Sequence, residues 1–300
     1  NAIIPILIVP YYSVIGGWVI KYLIEYFAGH SKTLAGDAYF TTFISNGWST
    51  EICFIIFTLF TLGIIYAGVR NGIERVSRFM MPILIVLSLI IAVYSVTRPG
   101  AIEGVKYFLV PNFDHFSWMT VVSAMGQMFY SLSIAMGILI TFGSYMKKDT
   151  SIEKSTENVE IFDTAIAIMA GLMIIPAVFA FSGGNAETLK SGPALMFITI
   201  PKVFANMGFG TAIGVVFFLL VLFAAVTSSI ALTESAVSTF EDELHWSRKK
   251  STVFMGMVML LLGTLSCLGY GPLANFKILG MQFLDFFDFI TNSVMMPIAA

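Results

Sequence analysis

Residues 116–146 read FSWMTVVSAMGQMFYSLSIAMGILITFGSYM, a run without a single Asp, Glu, Lys or Arg that gathers Gly126, Gln127, Tyr130, Ser131 and Ser133 near its middle. A helix crosses the ~30 Å hydrocarbon core of a bilayer with about 20 residues, so this run is too long for one straight span and polar where a span should be most apolar. A helix broken near Ser131 to Ala135 satisfies both facts. It would expose backbone carbonyls and hydroxyls at the membrane midplane, where polar groups are costly and usually face a cavity. The competing reading is a small-residue packing face whose serines bond back to their own helix.

The same lack of charge recurs along the chain, at 1–20, 52–69, 79–97, 164–186, 203–233, 251–276 and 289–300. These runs predict an all-α polytopic membrane protein, one transmembrane domain over 1–300 with eight spans at 1–27, 51–70, 76–97, 117–147, 159–182, 210–240, 251–270 and 282–300. A β-barrel would show short alternating segments instead. Only 11% of residues are charged and 57% are hydrophobic, against about 25% charged in soluble domains. The formal net charge of −2 lacks the basic footprint that nucleic acid requires. Cys53 and Cys267 both lie in apolar runs, which excludes a disulfide scaffold and reads as core packing. The first run begins at residue 1 without an initiator Met, leader or cleavage site, and the expectation is an internal part of a longer polypeptide.

Connections on one side carry Arg70, Arg75, Arg78, Lys147, Lys148, Lys154, Arg248, Lys249 and Lys250, whereas the other side carries Lys32, Arg98, Lys106, Lys190, Lys202 and Lys277. The first side is expected to face the cytoplasm, in a multi-pass protein of the plasma (inner) membrane. The outer connections 28–50, 98–117 and 182–207 are longer, and PALMFITIPKVFAN at 193–206 reads as a re-entrant or surface helix.

Two further polar features interrupt apolar runs. Within 211–240, Thr227 and Ser228 follow Ala224 by one turn, so two hydroxyls and a carbonyl share a helix face, a donor set for a hard cation such as sodium or, equally, helix–helix glue. Asp163 heads the run 164–186 and reads either as a helix N-cap or as a cation ligand set deeper. Enzyme chemistry has no foothold. His30, His115 and His245 all sit in connections, and no G-x-S-x-G, HExxH or Walker pattern occurs.

YYSVIGGW at 11–18, NGIERVSRFMMP at 71–82, GQMFYSLSIAMG at 126–137, ITFGSYMKKD at 140–149, IIPAVFAF at 174–181, FITIPKVF at 197–204 and LFAAVTSSIALTESAVSTFEDELHWSRKK at 222–250 together resemble the neurotransmitter:sodium symporter family. The resemblance extends to bacterial members such as the leucine and hydrophobic amino acid transporters. That resemblance implies the leucine-transporter (LeuT)-type inverted-repeat fold, with this chain running from the third helix of the fold into the tenth and without its first two. It also implies sodium-coupled symport of a hydrophobic or aromatic amino acid in the lipid bilayer, with two sodium ions, each held in part by the absent first helix. An amino-acid-gated channel or sensor of the same fold, or a proton-coupled permease, remains the alternative.

Residue by residue, the resemblance implies that Tyr12 contacts the substrate carboxylate and that Ile8, Ser133, Met136 and Leu232 line the pocket beneath the aromatic lid Tyr130. Ser131 and Asp163 would ligate the first sodium. Ala224, Thr227 and Ser228 would hold the second, with Ser228 also at the pocket. Asp242, paired with an arginine of the absent N-terminal part and with Tyr145 hydrogen-bonding nearby, would close the inside, and Asp288 with Tyr12 and Tyr130 the outside. Relatives often carry a carboxylate one turn after Asp163, where this chain has Ile166-Ala167. Asp163 is therefore expected to supply the negative charge itself and to make transport chloride-independent. No role follows for Glu234 beyond a buried group that carries a proton or supports the inner pathway.

Overall fold

The computed structural model describes residues 2–113, 116–184 and 192–299; His115 and Lys190 lie outside them. Among these residues every regular element is helical. In chain order they are α1 (Ile3–Phe27), α2 (Ser31–Leu34), α3 (Tyr39–Ser45), α4 (Gly47–Tyr66), α5 (Arg75–Val96), α6 (Ala101–Leu109) and α7 (Trp118–Ser131). There follow α8 (Ile138–Ser144), α9 (Ile152–Ser182), α10 (Ile200–Ala205), α11 (Gly210–Leu244), α12 (Arg248–Leu268), α13 (Phe283–Asp288) and α14 (Met296–Ala299). Wider π-helical turns at Val69–Glu74, Leu195–Thr199 and Phe289–Met295 lead into α5, α10 and α14.

Six helices among the described residues are long and apolar enough to cross a membrane: Ile3–Phe27, Gly47–Tyr66, Gly72–Val96, Ile152–Ser182, Gly210–Leu244 and Arg248–Leu268. The other two expected spans are built differently. Segment 117–147 is divided between α7 and α8, and 282–300 contains α13, a π-helical turn and α14.

Helix α1 runs through the centre because it is apolar on every side, burying Ile8, Val9, Val14, Trp18 and Tyr22, as a helix without a polar face must. It packs on α4, α11 and α12, while α5 and α6 pack on α9. Close approach depends on glycine. A Cβ on Gly17 would stand 2.7 Å from the backbone nitrogen of Phe54, and one on Gly214 would stand 2.1 Å from the ring of Tyr26. Gly17→Ala therefore pushes two backbones apart and should cost about 1–3 kcal/mol, read as an earlier unfolding transition in detergent. Gly63→Ala, which meets open space, is the control that should not shift it.

The long connections expected on the outer side fold back over the bundle end. Phe197 packs edge-on against Trp18 and stacked on Phe40, and Tyr22 Oη donates to the Phe197 carbonyl at 2.8 Å. Lys202 pairs with Asp37, and Ser31 bonds Thr211 at 2.8 Å. The segment 195–205 is thereby held as a plug of buried aromatic and aliphatic side chains on α1 and α11.

Candidate functional site

The break between α7 and α8 is a backbone feature. Ser133 (φ 56°), Ala135 (φ 68°) and Gly137 (φ 73°) are left-handed, a conformation that L-residues adopt at a cost of about 1–2 kcal/mol each. Beside it opens a cavity of about 460 Å³. Ile8 and Tyr12, one turn apart on α1, enter it from one side; Tyr130, Ser131, Ser133 and Met136 come from the broken helix; Thr227, Ser228 and Leu232 come from α11, and Asp163 from α9. Every residue proposed above as a substrate contact lines this one space. Gln127, Ile138 and Ala231 line it as well.

Two groups of oxygen atoms meet there. Ser131 Oγ donates to Asp163, at 2.8 Å from Oδ1 and 3.0 Å from Oδ2. Asp163 stands well inside α9, whose N-cap is Ser151 with its side chain accepting from the Lys154 backbone; the N-cap reading of Asp163 is thereby excluded. On the other side, Thr227 Oγ1 lies 3.0 Å from the Ala224 carbonyl and 3.1 Å from that of Phe223, and Tyr12 lies near Ser228. Ala224 does not line the cavity and reaches this group through its carbonyl alone. Hydroxyl, carbonyl and carboxylate oxygens without nitrogen or sulfur form a donor set for a hard cation.

At the end of the bundle carrying the basic connections, Tyr145 Oη donates to Glu234 Oε1 at 2.6 Å, and Asp242 is exposed near the end of α11. Arg248 grips the other side of Glu234 in a fork, Nη1 to Oε1 at 3.0 Å and Nη2 to Oε2 at 2.6 Å, and its Nε donates to the Ile65 carbonyl at 2.9 Å. Glu234 is completely buried. The turn after α11, with His245 left-handed at φ 52°, folds the first residue of α12 back onto α11 and makes this pairing. The sequence offered Arg248 only as a connection charge that orients the chain; the signal for this pairing was a carboxylate inside an apolar helix, which needs a cation within reach.

At the opposite end Tyr11 stands 3.3 Å from Thr291 Oγ1 and lies near Asp288, whereas Tyr12 lies near Ser228. Adjacent residues on a helix point about 100° apart, so the two meet different hydroxyl neighbours. Tyr130 lies near Asp288, and Asn292 Nδ2 donates to that carboxylate at 2.6 Å. Beyond the end of α12, burial raises the phenol of Tyr270 above its ordinary range, keeping it a donor to Asp285 at 2.9 Å.

A profile of the sodium:neurotransmitter symporter family matches residues 24–300. The chain is 35% identical to the uncharacterized sodium-dependent transporter YhdH of Bacillus subtilis (strain 168), over 98% of this chain and 65% of that protein. It is 31% identical to an uncharacterized sodium-dependent transporter of Haemophilus influenzae, again over 98% of this chain and 65% of the relative. The chain thus spans about two thirds of the length of these relatives. Among solved structures, MhsT in complex with L-phenylalanine superposes with a TM-score of 0.86 at 36% identity, covering 99% of this chain and 68% of that one. The helical fold is accordingly that of the leucine-transporter type.

Proposed function

Because the chain belongs to the sodium:neurotransmitter symporter family, a family of sodium-coupled transporters and not of enzymes, we propose that it forms the core of a sodium-coupled amino acid symporter. The cavity at the broken helix carries this reading, since it brings Tyr12, Ser131, Asp163 and Ser228 to one space walled by Ile8, Met136 and Leu232. The hydroxyl of Tyr12 takes the substrate carboxylate. Ser131 and Asp163 ligate a first sodium beside it, and Ala224, Thr227 and Ser228 a second. The apolar wall favours a hydrophobic or aromatic side chain, and L-phenylalanine bound to MhsT supports that class.

Coupling follows from shared ligands. A sodium ion touching the substrate carboxylate raises its affinity, and by linkage the substrate raises that of sodium by the same factor. Alternating access then closes Asp288 and its tyrosines over the outside and releases the Glu234 cluster inside. The test is uptake by the full-length protein in proteoliposomes. Saturable accumulation of phenylalanine or leucine against its gradient, driven by an inward sodium gradient, is expected; dissipative flux without accumulation identifies a channel, binding without flux a sensor, and uptake driven by protons alone a permease, each overturning the proposal. Ser228→Ala removes a cation ligand and should raise the half-saturating sodium concentration about tenfold, the equivalent of one charge-assisted contact.

A further inference from the structure

Two serines of α11 belong to neither oxygen group and yet reach the broken helix. Ser235 Oγ donates to the Met136 carbonyl at 3.3 Å, and Ser238 Oγ meets Thr141 Oγ1 at 3.2 Å. Both serines are buried. Their spacing of three residues puts them on one face of α11, in line with Leu232 on the cavity wall. Ser235 approaches so closely that a Cβ on Gly137 would lie 3.0 Å from its hydroxyl. Glycine at 137 thus serves twice, for its left-handed φ of 73° and for this contact.

Between Ser131 and Ile138 the backbone is strained at Ser133 and Ala135, and strained conformations persist only where the surroundings over-determine them. Two side-chain bonds supply that constraint: Ser131 to Asp163 at one end of the segment and Ser235 to Met136 at the other. Apolar packing contributes as well, since Met136 and Ile138 belong to the buried core and Phe142 packs against it. Met136 is 3% exposed and lines the cavity, so wherever its carbonyl is held its side chain follows.

We infer that Ser235 and Ser238 are positioning residues for the substrate pocket: they dock α8 on α11 and pin the Met136 carbonyl, so that the Met136 side chain limits how large a substrate the cavity admits. The inference rests on reading the cavity as the amino acid site. With Ser235 reduced to Ala the segment relaxes, Met136 withdraws and bulky side chains gain relative to smaller ones.

Sodium-dependent binding of leucine and of tryptophan to the full-length protein measures this as a ratio. Ser235→Ala should raise the tryptophan-to-leucine affinity ratio about fivefold, the order of one net hydrogen bond, and Ser238→Ala should shift it the same way. Ser238→Thr keeps the hydroxyl and should keep the wild-type ratio. Half-saturating sodium should stay within about twofold, because Thr227 and Ser228 keep their partners. A ratio unchanged in Ser235→Ala, or a uniform loss of both ligands together with a lower melting temperature, overturns the positioning role alone. Absence of any sodium-dependent binding by the wild-type protein overturns the transport reading and this inference with it.

Discussion

The Arg248→Met variant is expected to lose sodium-driven uptake and to unfold with about 3–5 kcal/mol less stability, the usual penalty for leaving a buried charge without its partner. Glu234 has no exposed surface. Its two oxygens are held by the Arg248 fork, and Tyr145 adds a third bond at 2.6 Å. Arg248 also ties α12 to the Ile65 carbonyl of α4 and, at 3.4 Å, to Glu241. One side chain therefore joins three helices, and through Tyr145 a fourth connection after α8. Removing the cation leaves a buried carboxylate without its partner, and the junction opens. The double variant Glu234→Met/Arg248→Met separates stability from function, since a buried pair replaced by apolar residues of similar volume is often neutral. Its melting temperature should return to within a few degrees of wild type while uptake stays low, because Tyr145 has lost its acceptor. Wild-type uptake by Arg248→Met would show that the cluster has no part in transport.

What could be read from the chain and what could not divides along a physical line. Continuous apolar runs report directly on burial in lipid, so the apolar bodies of α1, α4, α5, α9, α11 and α12 follow from where charges stop, although the start of α9 does not. The break after Ser131 was legible for a related reason: polar and small residues concentrated at mid-run have nothing to bond to in hydrocarbon unless the helix opens. Family likeness then named Tyr12, Ser131 and Ser228, and the fold places them around one cavity. Pairings that cross between helices left no such trace. Arg248 looked like a topogenic charge at the start of α12, and only the turn at His245 aims it at Glu234. Tyr11 and Tyr12 are chemically the same in sequence, and it is the rotation of α1 that sends one to Asp288 and the other to Ser228. The cap alternative for Asp163 arose because the charge-free run starts after it, whereas α9 begins at Ile152, before the apolar stretch.

Asp163→Asn should raise the sodium concentration needed for half-maximal uptake by more than tenfold and make the remaining uptake respond to chloride, while wild-type uptake should be unchanged when gluconate replaces chloride. The carboxylate accepts the Ser131 hydroxyl with both oxygens within 3.0 Å, so it faces the cavity where sodium and the substrate carboxylate are proposed to meet. A cation entering a site of reduced dielectric needs compensation; two unit charges 4 Å apart attract by about 4 kcal/mol at an effective dielectric constant of 20, and a tenfold change in affinity requires only about 1.4 kcal/mol of that. Asparagine keeps the volume and one acceptor oxygen but removes the charge. The Ser131 hydroxyl and the Gln127 amide, one turn apart on α7 and both lining the cavity, then become available as donors to an anion, and chloride can restore part of what the carboxylate supplied. Ser131→Ala, by contrast, leaves the charge in place and should weaken sodium without creating any response to chloride. If wild-type uptake collapses in gluconate, or if Asp163→Asn keeps the wild-type sodium dependence, the fixed charge lies elsewhere and Asp163 serves only to orient Ser131.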